Sequence, residues 1–206
     1  MSGDCSHIGH ENELTVSVYR RVLWLVMAIN AVMFLIEVGS GVFAGSVSLQ
    51  ADALDFLSDA ANYAIALLVL GRSVRWRAST AIVRAIAMAG FGLYVLGYSY
   101  YRAVIAGVPQ AIVMGSVGML ALAANVGSAF LLFRHRHGDS HRRSVWLCSR
   151  NDAIGNIAII AAAGAVHVTG TGWPDVAVGV LIAALSLSAA FRITRQAMGE
   201  LRGVRV

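Results

Sequence analysis

Three aspartates lie in one apolar stretch of the sequence, residues 47–70. A charged side chain at the centre of a membrane helix costs roughly 2.5–3.5 kcal/mol on insertion scales, so each aspartate must have a partner, carry a proton or face water. The spacing of Asp52, Asp55 and Asp59 (i, i+3, i+7) puts them on one helical face, with Asp55 and Asp59 one turn apart. One helix thus offers two adjacent carboxylates to a cation. The alternative role, hydrogen bonding between helices, suits the asparagines of the chain better.

A second pair has the same spacing in the apolar stretch 144–168, where Cys148 and Asp152 stand at i and i+4. Two helices that each donate such a pair provide four ligands around one point, which is the number that a tetrahedral Zn²⁺-like site needs. A lone cysteine can also be a small buried hydrophobic residue, and that interpretation of Cys148 stays open. The predicted metal ligands are Asp55, Asp59, Cys148 and Asp152.

Further polar residues surround this predicted site. Asp52 lies one turn toward the outside and is predicted to be a relay or exit residue. Asn62 and Asn156 are predicted to orient the carboxylates by hydrogen bonds. Glu37 is the remaining deep acid, and the sequence leaves open whether it pairs with a neighbouring helix or with Arg150.

Two weaker groups of metal-binding side chains lie outside the apolar stretches. His135, His137 and His141 cluster within one connection and form a predicted secondary metal site. The arginines between them repel cations, and topology alone explains a charged loop, so this site ranks below the first. Cys5, His7 and His10 near the start of the chain are close enough to chelate weakly in a flexible tail.

The composition places these residues in a membrane protein. Of 206 residues, 58% are hydrophobic and 13% charged, with a mean hydropathy of +0.70. A soluble domain carries about 25% charged residues. Because a spanning helix needs about 20 apolar residues, the chain has room for six spans and for no large soluble domain. The two distant cysteines suggest no disulfide framework.

Six apolar runs predict an all-α integral membrane protein with six transmembrane helices. The first run is too long for a signal-peptide core and is interpreted as a retained helix. The chain divides into a polar cytoplasmic leader with Cys and His (1–19), a transporter domain (20–197) and a short cytoplasmic tail (198–206). The predicted spans are 22–44, 47–70, 80–106, 110–133, 144–168 and 174–193.

The basic residues predict the orientation of these spans. All sixteen are arginines, and fourteen lie near the chain termini or in and beside the second and fourth connections. By the positive-inside rule, both termini and these two connections are cytoplasmic. Arg102 is the exception on the outside, and Arg150 falls within a span. Topology therefore explains the pI of 9.8 without a nucleic-acid partner.

Several motifs resemble those of the cation diffusion facilitator family. Residues 48–59, Ser-Leu-Gln-Ala-Asp-Ala-Leu-Asp-Phe-Leu-Ser-Asp, resemble its second-span signature. Residues 152–156, Asp-Ala-Ile-Gly-Asn, are similar to its fifth-span signature, and residues 173–181 resemble the start of its sixth span. The resemblance implies a homodimeric exporter of divalent transition metals driven by proton exchange. Carried over, the central site of the family falls on Asp55, Asp59, Cys148 and Asp152.

The sequence departs from that family in two respects. Cys148 stands where zinc transporters commonly have His or Asp, so the metal preference cannot simply be inherited. The usual cytoplasmic carboxy-terminal domain does not follow the sixth span, so we expect a short form whose homodimer, if one forms, relies on other contacts. A ridge of small residues in span three suits either a dimer contact or packing within one chain. Its members are Ala81, Ala85, Ala89 and Gly92.

Together these features predict an efflux transporter for divalent transition metals of the Zn²⁺ and Cd²⁺ type. Alternating access would exchange metal for protons, because both compete for the same ligands. The expected partners are the transported metal ion, protons and membrane lipids, with no nucleic acid and no permanently bound cofactor. We expect a multi-pass protein of the bacterial inner membrane.

Other functions fit the sequence less well. An intramembrane aspartyl hydrolase would place its aspartates on different helices beside a Gly-x-Gly-Asp loop, which this sequence lacks, so no enzymatic activity is predicted. A proton-coupled exporter of organic cations would need aromatic walls, and the sequence offers one tyrosine cluster at 94–101. A membrane metal sensor or regulatory subunit is the other alternative, and a flux assay separates it from a transporter.

Overall fold

The computed structural model describes residues 5–68, 74–105, 107–133 and 140–203, with side chains except at 5–17, 66, 68, 74, 75, 77 and 140–151. The predicted all-α fold is confirmed, because each predicted span corresponds to a helix of its own, with differences of one or more residues at most ends. The helices are α1 (Cys5–Ala44), α2 (Val47–Leu68), α3 (Val74–Val104), α4 (Ala111–Phe133), α5 (Ser140–Thr169) and α6 (Trp173–Gly203).

Five of these helices contain a segment that is long and apolar enough to cross a membrane. The helix α2 is the exception, because three aspartates fall within its 22 residues. Neighbouring helices must therefore shield α2 from lipid. The five segments are Val18–Ala44, Ala78–Val104, Ala111–Phe133, Asp152–Thr169 and Trp173–Gly203.

Several helices continue beyond the apolar runs that predicted them. The helix α1 begins at Cys5 rather than near residue 22, and α6 ends at Gly203 rather than near residue 193. An apolar run marks the part of a helix that lies in hydrocarbon, whereas the backbone hydrogen bonds of a helix persist in water. Most of the predicted leader and tail is therefore helix continuous with the adjoining span, and the division into three parts stays a prediction.

The helix α2 lies inside the bundle. It packs mainly on α1, α6 and α3, and more briefly on α5 and α4. Leu49, Leu54 and Phe56 on α2 are almost completely buried. Many large apolar side chains of the other helices point outward, as Phe43 and Ile112 do with exposed fractions of 71% and 79%. This arrangement places apolar surface toward lipid and the aspartate-bearing helix at the centre.

The ridge of small residues on α3 packs within the chain. A Cβ atom added to Gly92 would lie 3.0 Å from the Leu187 side chain of α6. Ala85 of the same ridge packs against Ala190, also on α6. Of the two interpretations of the ridge, packing within one chain is the one that the structure shows.

The start of α2 is fixed by a carboxylate from another helix. Asp175, in the first turn of α6, is 1% exposed. Its Oδ2 accepts a hydrogen bond from the Val47 backbone N–H at 2.7 Å, and its Oδ1 accepts one from the Ser48 N–H at 2.9 Å. The hydroxyls of Ser46 and Ser48 donate to Oδ1 at 2.8 and 2.6 Å. A carboxylate at a helix N-terminus satisfies backbone donors that have no partner within the helix, so Asp175 caps α2.

Candidate metal site

Two of the predicted ligands lie on the polar face of α2. Asp59 is buried, with 7% of its surface exposed, and Asp55 is half-buried. The Ser186 hydroxyl of α6 donates to Asp55 Oδ1 at 2.9 Å, and the Tyr63 hydroxyl donates to Asp59 Oδ2 at 3.2 Å. Each carboxyl is therefore held by a neutral hydroxyl donor that leaves its second oxygen for another partner.

The third predicted ligand, Asp152, comes from α5 and meets the α2 pair. Its carboxyl lies within hydrogen-bonding range of the Asp59 carboxyl and within electrostatic range of Asp55. Two carboxylates held close together repel each other, and a cation bound between them would relieve that repulsion. The structure thus brings two of the four predicted ligands, Asp59 of α2 and Asp152 of α5, close together, with Asp55 within electrostatic range of both.

The fourth predicted ligand stays untested. Cys148 lies on α5, one turn before Asp152, and its side chain is outside the described residues. Among the side chains that the structure describes, no three of Asp, Glu, His and Cys converge closely enough to hold a metal ion. The described part of the site is a carboxyl pair, Asp59 and Asp152, with Asp55 beside it.

A guanidinium group also reaches this site. Arg84 of α3 donates hydrogen bonds to Asn62 Oδ1 and to Ser58 Oγ, and it lies within electrostatic range of Asp59. From its sequence position, Arg84 is interpreted as one of the arginines that set the topology. In the structure the Asn62 amide oxygen accepts a hydrogen bond from this guanidinium, and its role in orienting the carboxylates stays a prediction.

A second carboxyl pair lies toward the start of α2. Glu37 of α1 and Asp52 are 0% and 1% exposed, and their carboxyls lie within electrostatic range of each other. Neither Glu37 oxygen has a hydrogen-bond partner among the described residues. The side chain of Arg150, the other partner considered for Glu37, lies outside the described residues, so the pairing of Glu37 stays a prediction. Asn156 is fully buried, and neither amide atom has a hydrogen-bond partner within the described part of the chain.

The weaker predicted metal sites lie largely outside the described residues. His135 and His137 fall in an undescribed segment, and the side chain of His141 at the start of α5 is undescribed as well. The same holds for the side chains at positions 5, 7 and 10 of α1. These two sites stay predictions.

Three residues that contact the site were not predicted. Tyr63 stands four residues after Asp59, a helical spacing that would have identified it as a partner. Arg84 falls within the predicted third span, where a permanent charge requires a partner, and this was the available signal. Ser186 is one of many small residues on α6, and its sequence context gives no sign of its contact with Asp55.

Comparison with known proteins places the chain among cation transporters. Residues 23–201 match the cation efflux transmembrane domain. The chain is 26% identical over 174 residues to the metal cation efflux system protein CzcD of Cupriavidus metallidurans, covering 79% of this chain and 55% of that protein. It is 28% identical over 214 residues to the zinc transporter ZitB of Escherichia coli, covering 95% of this chain and 65% of that protein. It is 23% identical over 209 residues to a cadmium, cobalt and zinc/H(+)-K(+) antiporter of Bacillus velezensis, covering 93% and 66%.

The matched region extends from within α1 to within α6 and includes all four predicted ligands. The chain spans 55% and 65% of the length of CzcD and ZitB, respectively. The family consists of transporters rather than enzymes, in agreement with the multi-pass helical architecture. Because the family match covers most of the sequence, this chain belongs to the cation efflux family by its transmembrane domain.

Proposed function

We propose that this protein exports a divalent transition metal that binds between α2 and α5. The observation that carries the proposal is the proximity of the carboxyls of Asp59, which is buried, and Asp152, which is half-buried, on two different helices. Asp55 adds a third carboxyl one turn away. Relatives named for zinc, cadmium and cobalt support the metal class.

The chemistry of the ligands narrows the range of metals that the site would prefer. Three carboxylates alone would suit hard cations such as Mn²⁺ or Mg²⁺. A thiolate from Cys148, one helical turn before Asp152, would shift the preference toward Zn²⁺ and Cd²⁺. We propose a four-ligand site of three aspartates and this cysteine, with Zn²⁺ or Cd²⁺ as the transported ion.

Proton exchange follows from the same carboxyls. Metal binding requires deprotonated ligands, so a dication that binds at Asp59 and Asp152 releases protons, and protons that return displace the metal. If the site opens alternately to the two sides of the membrane, this competition couples metal export to proton import. We assign the role of a proton or metal relay on the outer side to Asp52, which lies near Glu37 and closer to the start of α2.

The proposed direction rests on the distribution of arginines. Fourteen of the sixteen fall at the termini and in two connections, which the positive-inside rule assigns to the cytoplasm. Metal would then be bound from the end of α2 near Leu68 and released near the α1–α2 turn.

A flux assay in proteoliposomes tests the proposal. Purified protein is reconstituted with a pH gradient, and Zn²⁺ and Cd²⁺ transport is followed with an internal fluorescent indicator. Asp59→Asn and Asp152→Asn should each lower the initial rate by at least about tenfold, since each removes a charged ligand and about 1.4 kcal/mol of interaction gives that factor. Glu200→Gln is the matched control, because Glu200 is an exposed carboxylate near the end of α6 that contacts Gln196 rather than the site.

The same assay separates the alternatives. Transport at the wild-type rate in Asp59→Asn would remove the carboxyl cluster as the metal site. Metal binding without any metal flux in the wild-type protein would favour a sensor or regulatory subunit. Flux of organic cations without metal flux would favour the other class of exporter.

A further inference from the structure

Hydrogen bonds join α2 to α6 near its start and its middle, and to α3 near its end. Asp175 caps its start, and Ser186 donates a hydrogen bond in its middle. Arg84 donates to Ser58 and Asn62 towards its end. The contacts at the start and the middle bring no positive charge toward α2. The contact of Arg84 brings a guanidinium, which is always protonated in proteins, next to a proposed metal ligand.

The two acceptors of Arg84 flank a ligand position. Ser58 directly precedes Asp59 in the chain, and Asn62 follows Asp59 by three residues, close to one helical turn. Both acceptors are neutral, so they direct the guanidinium without cancelling its charge. That charge acts on the Asp59 carboxyl. A metal bound at Asp59 would therefore share this carboxylate with Arg84.

The surroundings of Arg84 hold its guanidinium beside Asp59. Its other side faces a cavity of about 540 Å³ between α2 and α3. Apolar side chains dominate the wall of that cavity, among them Ala64, Trp76 and Val83. A guanidinium that swung into this space would give up polar partners for apolar contacts, which is costly for a permanent charge. When a dication binds at Asp59, Arg84 thus remains near enough to repel it.

We propose that Arg84 is a positioning residue whose fixed charge weakens metal binding at Asp59 and thereby speeds metal release. This inference rests on the proposed function of the carboxyl cluster. An exporter must release its metal in every cycle, and a site of three or four anionic ligands without an opposing charge would hold a dication too long. Arg84 supplies that opposing charge from outside the ligand set.

The test is metal binding and transport by Arg84→Gln, with Cd²⁺ as the probe. Loss of one repelling charge should tighten Cd²⁺ binding by about tenfold, equivalent to about 1.4 kcal/mol, as measured by isothermal titration of purified protein. In proteoliposomes the KM for Cd²⁺ should fall and the maximal rate should also fall, because release becomes slower. Arg84→Lys keeps the charge and should stay within about twofold of the wild-type affinity, which a change of less than about 0.5 kcal/mol allows.

The control is Arg192→Gln, which removes an exposed arginine from α6 and should leave both kinetic constants unchanged. Equal Cd²⁺ affinity in wild type and Arg84→Gln would overturn the inference. So would an Arg84→Gln protein that does not fold even with Cd²⁺ present, since ligand binding stabilises a folded site and Arg84 would then be a structural residue.

Asp59→Asn is titrated alongside to separate this inference from the proposed function. If Asp59→Asn loses Cd²⁺ binding and Arg84→Gln binds like wild type, the metal site stands and the role of Arg84 is wrong. If Asp59→Asn binds Cd²⁺ like wild type, the metal site itself is wrong.

Discussion

Substitution of Asp175 should destabilise the protein more than any change at the proposed metal ligands. This carboxylate accepts four hydrogen bonds, two from backbone N–H groups and two from serine hydroxyls, and it is almost completely buried. The hydroxyls of Ser46 and Ser48 can turn toward each other, since their oxygens are already 3.3 Å apart. The backbone N–H groups of Val47 and Ser48 have no such freedom. Most of the stability lost on substitution therefore comes from leaving these two donors without an acceptor.

The expected loss follows from the number of donors left without an acceptor. A buried donor that loses its partner costs about 1–3 kcal/mol. Asp175→Ala leaves both backbone donors unsatisfied and should cost about 2–6 kcal/mol on that basis. Asp175→Asn can keep its carbonyl oxygen at the Oδ1 position and loses the acceptor of Val47 N–H alone, for about 1–3 kcal/mol. Ser48→Ala removes one hydroxyl donor and should cost about 0.5–1.5 kcal/mol, since the carboxylate keeps three partners.

The assay is reversible unfolding of purified protein in mixed micelles, followed by circular dichroism. We expect the free energy of unfolding to decrease in the order wild type, Ser48→Ala, Asp175→Asn, Asp175→Ala. If Asp175→Ala is within about 1 kcal/mol of wild type, less than one unsatisfied donor costs, then the cap is not what holds the start of α2. An Asp175→Asn variant as unstable as Asp175→Ala would show that the charge, rather than the number of acceptors, is decisive.

Two further predictions concern topology and metal preference. Single cysteines at Ser73 and Ser140 should react with a membrane-impermeant thiol reagent applied from the cytoplasm, and one at Thr171 should react from outside; outside labelling at Ser140 would reverse the proposed orientation. Cys148→Asp should lower Cd²⁺ transport relative to Mn²⁺ in competitive uptake, and Cys148→Ala should weaken both Zn²⁺ and Cd²⁺, because a thiolate prefers softer metals. If neither substitution changes the relative rates, Cys148 is a packing residue and the site has three side-chain ligands.

The number of helices could be predicted because, in a chain this hydrophobic, an apolar run of about 20 residues forms a membrane-spanning helix. The predicted start of α2 agrees with the structure, and α4 differs from prediction by one residue at its start. The start of α1 and the end of α6 lie beyond the spans predicted for them. Hydropathy reports contact with hydrocarbon, and both helices continue into polar sequence where that signal stops.

The sequence predicted neighbouring site residues only where both lie on the same helix at helical spacing. Asp55 and Asp59 share a face of α2, so spacing alone identified them as a pair. Their contacts with Ser186 and Arg84 join different helices, and the identities of those partners depend on packing that no local pattern encodes. For that reason Arg84 was assigned to topology, although its side chain points to the candidate site.

The distance between Asp59 on α2 and Asp152 on α5 is set indirectly, through the packing of other helices. The helices α2 and α5 meet over a short contact, whereas α5 packs extensively on α4, and α2 packs extensively on α1 and α6. The separation of Asp59 and Asp152 therefore depends on how the α4–α5 pair sits against the helices that hold α2. Asp175 and Ser186 fix α2 to α6 on both sides of Asp52, so α2 and α6 should move together. A small shift of α4 and α5 against them would change the separation of the carboxyls, and with it the metal affinity, without altering any ligand.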